Sequence, residues 1–462
     1  MPEFRKGQEL ELQVDRLSYG GRGVARADGY VVFVPYTAPQ DRIRARLVRA
    51  KRSFAEAEVV ELLEPSPDRV TPPCPYFGRC GGCTWQHLSY QAQLAAKEQI
   101  VRESLERLGG LRDVPLRRIV PAPKPFGYRN KMEFAFHPEA ILGLHLPGHF
   151  DRVLEIDECL LPSPLASAIL RQVKAFVRER NLTCYDPRTR QGLLRHLVYR
   201  EGTRTQQVLL AVVTAPGPFP EGPELARRLV REHPEVRGVL WAQSGSLSDA
   251  VVVDRLEVLW GEPTIEEELA GLRFRLGLET FFQTNTEQAE RMVHMVVDLA
   301  RLEGTERVVD LYCGVGTFSL PLARRAQFVW GVEVVPSAVE SARQNASRAG
   351  IHNVAFLQGE VHRVLPELVR HNGPPEVVLL DPPRSGTGGK VMRAVGRAGP
   401  RRVVYVSCNP TTLAADLREL VAFGYRIREV QPLDLFPQTY HVETLVCLER
   451  DPAAQRTEYS QR

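Results

Sequence analysis

From about residue 281 the sequence settles into a regular alternation of short apolar runs and amphipathic stretches. This alternation limits the fold more than any other feature. The apolar runs are Val308–Tyr312, Val329–Val334, Ala355–Leu357, Val377–Leu380 and Val403–Val406. Runs that are apolar throughout belong to strands buried on both faces, and the intervening helices cover those faces of a parallel sheet. Two longer runs, Tyr425–Val430 and His441–Leu448, predict an antiparallel pair at one edge. Ligands of such sheets bind beyond the carboxyl ends of the strands. The residues that follow each strand are therefore the first candidates for chemistry.

The chain has 462 residues. At about 150 residues per domain this suggests about three domains. Hydrophobic content of 43% and charged content of 25% exclude a largely disordered or collagen-like chain. No run approaches the roughly 20 apolar residues of a membrane span, and Met1–Leu10 is charged, with no apolar signal core. A cytoplasmic monomer with no membrane partner is the expectation. The net charge of +4 does not by itself imply nucleic acid, although 53 of the 60 basic residues are arginine, which suits phosphate forks and base stacking.

Residues 1–62 read as an all-β module, with strands at Leu10–Leu17, Tyr30–Pro35, Ile43–Ala50 and Ala55–Leu63. Between the first two lies Ser18-Tyr19-Gly20-Gly21-Arg22-Gly23-Val24-Ala25, whose glycines permit positive φ and close backbone approach. Short strands with a basic surface fit an OB-like barrel that binds nucleic acid, against the plain reading of a glycine-rich hairpin. Prolines around Glu64–Asp68 and Thr71–Pro73 mark a linker. Ser89 then caps a helix with the stripe Leu94, Val101, Leu105 and Leu108, ended by Gly109. Residues 63–280 form a central α+β region with strands such as Lys131–Phe136, Leu194–Tyr199 and Val208–Thr214 and a helix at Ala166–Arg180. The sequence shows no internal repeat, and the polar tail after Arg450 reads as frayed.

Eight cysteines are present, and three are clustered as Cys74-x5-Cys80-x2-Cys83, with Cys159 a candidate fourth partner. Four thiolates hold either an iron–sulfur cluster or a structural zinc, and the spacing leaves that choice open.

Four further motifs fall at the ends of the C-terminal strands. Val308–Leu311 runs into Tyr312-Cys313-Gly314-Val315-Gly316 and then a helix, and Glu333 ends the next strand. A carboxylate there accepts hydrogen bonds from ribose hydroxyls. The incomplete glycine spacing favours S-adenosylmethionine over a dinucleotide. Asp381-Pro382-Pro383-Arg384 is a rigid loop that holds Asp381 at the sheet edge to orient a cationic ligand or an amino group, or merely to cap a helix. Cys408 follows the next strand and precedes a helix opened by Pro410. That position predicts a lowered thiol pKa and a nucleophile, against an inert buried cysteine. Glu443 shares a face with Leu445 and Cys447, where a carboxylate gains a raised pKa suited to a general base, against an ordinary edge-strand glutamate.

Together these motifs resemble the bacterial RNA uracil-C5 methyltransferases over nearly the whole chain. The residues that carry the resemblance are Tyr19–Gly23, the four cysteines, Tyr128–Lys131, Phe282-Gln283, Asp310–Gly316, Asp381–Gly386, Ser407–Pro410 and Glu443. The resemblance implies an N-terminal TRAM barrel (1–62), a central domain with a [4Fe–4S] site (63–280) and a Rossmann-like class I methyltransferase domain (281–462), with helix 89–109 packed on the last. It implies that Gln283, Tyr312, Glu333 and Asp381 contact S-adenosylmethionine. Cys408 would be the nucleophile, Glu443 the base, and Cys74, Cys80, Cys83 and Cys159 the cluster ligands. The substrate implied is 23S ribosomal RNA, with transfer RNA as the alternative, and Arg129 and Lys131 are candidate RNA contacts. Thr317 and Glu360 stand where ribosomal members carry amides, and Trp241–Ser244 departs from an asparagine-rich stretch. Two competing readings are a non-catalytic RNA-binding factor that keeps the cofactor pocket and an amino-group methyltransferase that uses the Asp381 loop.

Overall fold

The computed structural model describes residues 4–248 and 250–451; the tail after Asp451 lies outside them. The first five strands, Glu9–Leu17, Gly23–Ala27, Tyr30–Val34, Arg42–Ala50 and Phe54–Glu64, close into a barrel around Val14, Val32, Ile43 and Leu47. The strand Gly23–Ala27 was hidden inside the glycine-rich stretch read as a turn. Only Ser18–Arg22 turns, with the Gly21 amide donating to the Ser18 carbonyl. The barrel's basic surface is largely neutralised. Arg42 pairs with Glu64, Arg44 with Glu61, Arg46 with Glu9 and Arg22 with Glu56. These half-exposed pairs add little stability, but they remove the basic stripe that composition suggested.

The helix that follows runs Tyr90–Glu103, with the Ser89 hydroxyl accepting from the Ala92 amide. Its last turn, Ser104–Leu108, widens to a π-helix. The wider turn breaks the 3.6-residue stripe: Leu94, Val101 and Leu105 are buried, whereas Leu108 is 56% exposed. Leu94, Val101 and Leu105 share a core with Tyr405, Leu413 and Val446 of the C-terminal domain.

The central sheet has seven strands, in the order Arg255–Gly261, Val236–Gln243, Gln207–Thr214, Leu194–Gly202, Lys131–His137, Ile141–His145 and Val153–Glu155. Helices Pro164–Glu179 and Gly222–Glu232 cover one face. The other face presents Val198, Leu209 and Ala211 to a core shared with Phe274, Met292 and Val308. The hairpin Ile265–Leu269/Leu272–Leu276 belongs to that shared core.

The C-terminal sheet also has seven strands: Val354–Gln358, Phe328–Glu333, Arg307–Leu311, Val377–Leu380, Arg402–Ser407, Glu443–Arg450 and Tyr425–Leu433. The first five are mutually parallel. Glu443–Arg450 is antiparallel to both its neighbours, so it alone is reversed. Among the described residues no helix is long and apolar enough to cross a membrane.

Candidate active site

The sheet order brings the site together. Leu311 pairs with Leu380, and Leu380 with Tyr405. Tyr312 and Asp381 therefore leave adjacent strands at the same edge, and Cys408 leaves the next strand one residue after Ser407. The reversed strand begins at that edge. Its register sets Ser407 opposite Thr444, and one more step along the same count places Cys408 opposite Glu443. Reversal of a single strand thus delivers the carboxylate to the thiol.

The glycine-rich turn is built for close approach. Tyr312 has φ +67° and Gly316 φ +86°. The Glu333 carboxylate accepts from the Gly314 amide at 3.1 Å and from the Val334 and Val335 amides at 2.7 and 2.9 Å. It ties the turn to the next strand while remaining partly exposed. Asp310 lies fully buried beneath the turn, its Oδ2 held by the Ser319 hydroxyl and its Oδ1 without a partner. Burial, only partly offset by the Ser319 hydrogen bond, pushes its carboxyl up to about 7.

Cys408 is partly exposed at the edge. Asn409 fixes the loop around it. Its Oδ1 accepts from the Thr411 amide at 3.0 Å, and its Nδ2 donates to the Arg384 carbonyl at 2.9 Å. The expected low thiol pKa is not found. Burial, then the neighbouring Glu443 and Asp381 carboxylates, pushes the thiol up to about 12, outweighing Arg384 and a backbone hydrogen bond. Glu443 is 5% exposed, and burial lifts it to about 7 against the pull of Arg384. Asp381 rises well above the usual carboxylate range through burial and repulsion from Glu443 and Asp310.

The loop between the last two strands is clamped by distant parts of the chain. Buried Lys97 donates to Asp434 at 2.5 Å and to the Phe436 carbonyl at 3.0 Å. Tyr128 donates to the Pro437 carbonyl, and Asn285 to that of Leu435. Gln93 and Gln438 exchange two hydrogen bonds of 3.0 and 2.9 Å. Trp85, fully buried, anchors the barrel by donating Nε1–H to the Gly21 carbonyl at 3.0 Å.

Next to this edge lies a cavity of about 650 Å³. Gln283, Arg384 and His441 face it, as do the RNA candidates Arg129 and Lys131, and so do Cys74, Cys80, Cys83 and Cys159. Cys408, Asp381, Glu443, Tyr312 and Glu333 do not line it. The structure thus divides the candidates between the strand edge and the cavity, with Arg384 adjoining both. The four cysteines are free thiols. Cys83 is pushed up to about 12, chiefly by burial, and it feels all three other cysteines. The expected metal centre is not preformed: among the described residues no three His, Cys, Asp or Glu side chains gather where one ion could sit. Such a gathering is what either a zinc ion or a four-thiolate cluster requires.

The comparisons with known proteins bear on this geometry. Residues 263–451 match the tRNA (uracil-5-)-methyltransferase family, and residues 3–60 match the TRAM domain. An uncharacterized RNA methyltransferase of Gloeobacter violaceus is 40% identical over 450 residues, 96% of this chain and 97% of that protein. A second, from Halalkalibacterium halodurans, is 36% identical over 448 residues, 96% and 97% of the two chains. The chain belongs to the RNA uracil-5-methyltransferase family. The crystal structure of Pyrococcus abyssi tRNA (uracil-54, C5)-methyltransferase in complex with S-adenosyl-L-homocysteine superposes with a TM-score of 0.76 at 30% identity, covering 95% of this chain and all of that one. The protein is accordingly an S-adenosylmethionine-dependent RNA methyltransferase with a TRAM barrel.

Within that family framework the sequence reading missed several residues at the site. Phe281, 71% exposed on the cavity, adjoins the singled-out Phe282-Gln283 pair. The buried Phe282 supplied the apolar pattern, and nothing marked its neighbour as exposed. His441 has a buried Nδ1 with no partner, and burial lowers its ring to about 4. Tyr19 comes from the barrel, far away in sequence. Its glycine-rich neighbourhood was visible, but its destination was not.

Proposed function

We propose that this enzyme forms 5-methyluridine in 23S ribosomal RNA, with Cys408 as nucleophile and Glu443 as base. The observation that carries the reading is that Cys408 directly follows Ser407, whose partner Thr444 adjoins Glu443 on the antiparallel strand, at the edge where Tyr312 and Asp381 emerge. Gln283, Tyr312, Glu333 and Asp381 hold the cofactor, with Glu333 at the ribose. S-adenosylmethionine supplies the methyl group as an electrophilic sulfonium. Uracil C5 is too weak a nucleophile to take that group unaided. The partly exposed Cys408 thiol loses its proton to solvent as its sulfur adds to C6, which turns the ring into an enolate that is nucleophilic at C5. After transfer Glu443 takes the C5 proton, the 5,6 double bond re-forms, and the sulfur leaves. The target base leaves its stack to reach this edge. In this reading residues 1–62 engage RNA, 63–280 carry the cysteines and 281–462 perform the transfer.

Transfer RNA is the second reading, favoured by the match to the Pyrococcus enzyme along nearly the whole chain. The ribosomal reading rests on the joint presence of barrel and cysteines. Labelled methyl transfer to unmodified ribosomal and transfer RNA separates the two. Label is expected as 5-methyluridine in 23S RNA. Label confined to transfer RNA moves the assignment, and label in neither refutes both.

Cys74, Cys80, Cys83 and Cys159 are the thiols proposed to hold a [4Fe–4S] cluster, with no step in the methyl transfer. Anaerobically purified protein is expected to be brown and to contain about four irons per chain, as four-thiolate ligation requires. A colourless protein after anaerobic iron–sulfide reconstitution would falsify this assignment.

A further inference from the structure

The barrel reaches the catalytic edge. Its Ser18–Arg22 turn is closed by the Ser18 amide and hydroxyl, which donate to the Arg22 carbonyl at 2.8 and 3.0 Å. The turn is seated by the Trp85 bond to Gly21. Gly21 has φ +83°, and a Cβ there would meet the Tyr440 ring at 3.1 Å and Thr84 at 3.3 Å, so any side chain at this seat is strained and crowds both neighbours. The turn projects Tyr19. Its ring packs edge-on against Tyr440, with centroids 5.4 Å apart, and Tyr440 lies against His441 at 4.2 Å. Half-buried Tyr19 is close enough to Cys408, Arg384 and Glu443 to interact with their charges. Among the described residues its hydroxyl has no hydrogen-bond partner. The neighbouring His441 Nδ1 is also buried without one.

We propose that Tyr19 belongs to the target-uridine pocket, its phenol O–H donating a hydrogen bond to the pyrimidine oxygen that gains charge when the thiolate adds. When sulfur bonds to C6, the 5,6 π pair shifts and negative charge collects on the C4 oxygen. Tyr19 supplies a hydrogen bond there and transfers no proton. Burial, first, and the charges of Tyr440 and Cys408 hold the phenol at about 12, so it remains a donor at neutral pH. The barrel thereby contributes to the chemical step as well as to RNA capture. A donor aimed at developing oxyanion charge contributes far more to turnover than to binding.

This inference rests on Cys408 as the nucleophile, and the two are tested separately. Full-length Tyr19→Phe and Tyr19→Ala are compared with wild type for melting temperature, RNA affinity, KM and kcat. Tyr19→Phe keeps the ring against Tyr440. It is expected to melt and bind RNA as wild type does while kcat falls about a hundredfold. Wild-type kcat in Tyr19→Phe overturns the proposal, and it does so even if Tyr19→Ala is impaired, because the ring would then serve only as packing. Formation of a covalent adduct with 5-fluorouridine RNA by wild type, and its loss in Cys408→Ala, reports on the nucleophile independently of either Tyr19 variant.

Discussion

Cys408→Ala is expected to abolish methyl transfer, with kcat down by about 10⁴-fold or more, because the other thiol at this edge, Cys313, is buried in the glycine-rich turn and cannot replace it. The substitution removes one partly exposed sulfur and leaves the surrounding loop intact. Asn409 still caps the helix and still holds the Arg384 carbonyl. Folding and cofactor affinity should therefore be unchanged, and the loss should fall on turnover. Labelled methyl incorporation gives the rate, and a denaturing gel of 5-fluorouridine RNA shows whether the adduct forms. Retained turnover would remove the covalent mechanism and revive direct amino-group methylation at the Asp381 loop. A protein that binds RNA but never turns over, even as wild type, would match the non-catalytic reading.

Glu443→Gln has a different signature. The amide cannot take the C5 proton, so the methylated ring stays attached to Cys408. Ordinary uridine RNA is expected to accumulate as a covalent complex while turnover falls about 10²- to 10⁴-fold. The proton-abstraction step needs Glu443 as the carboxylate, which forms as pH rises through about 7. Stability runs the other way. Burial raises the folded-state value from the ordinary 4.5 to about 7. The stability conferred by this protonated carboxyl is fully present below 4.5 and is lost as pH rises through 7. The glutamine variant never carries that buried charge. At pH 8 it should be more stable than wild type by up to roughly 3 kcal/mol, with the gap closing towards pH 5. Melting curves at the two pH values check the sign, and a gap that widens towards acid would contradict the assignment of that environment to Glu443.

The fold of the C-terminal half was legible because buried parallel strands leave unbroken apolar runs. Val377–Leu380 is buried throughout and needs no partner information to be read. Gly23–Ala27 was not legible, since its three small residues and a charged one carry no strand signal, and only closure of the barrel makes it pair on both sides. The exposure of Leu108 was hidden for a related reason: a π turn is decided by contacts at the helix end, not by composition. In the site, the identities of Cys408, Asp381 and Glu443 were readable from their places after or at the start of strands. The protonation of the thiol was not. Sequence shows a helix start nearby, but it cannot show that the thiol becomes buried, nor that two carboxyl groups from other strands lie beside it. Tyr19 and Arg384 gain their meaning only from packing between segments hundreds of residues apart.

The reversal of one strand has a further consequence. Neighbouring strands lie about 4.8 Å apart wherever backbone ladders form, so the interval between the strand ends that carry Cys408 and Glu443 is set by the main chain itself. Turns, insertions and surface charge around the edge are free to diverge and accommodate differently shaped RNAs. A slip of one residue along that ladder would turn the glutamate to the opposite face, so selection for chemistry acts here on pairing register as strictly as on side-chain identity.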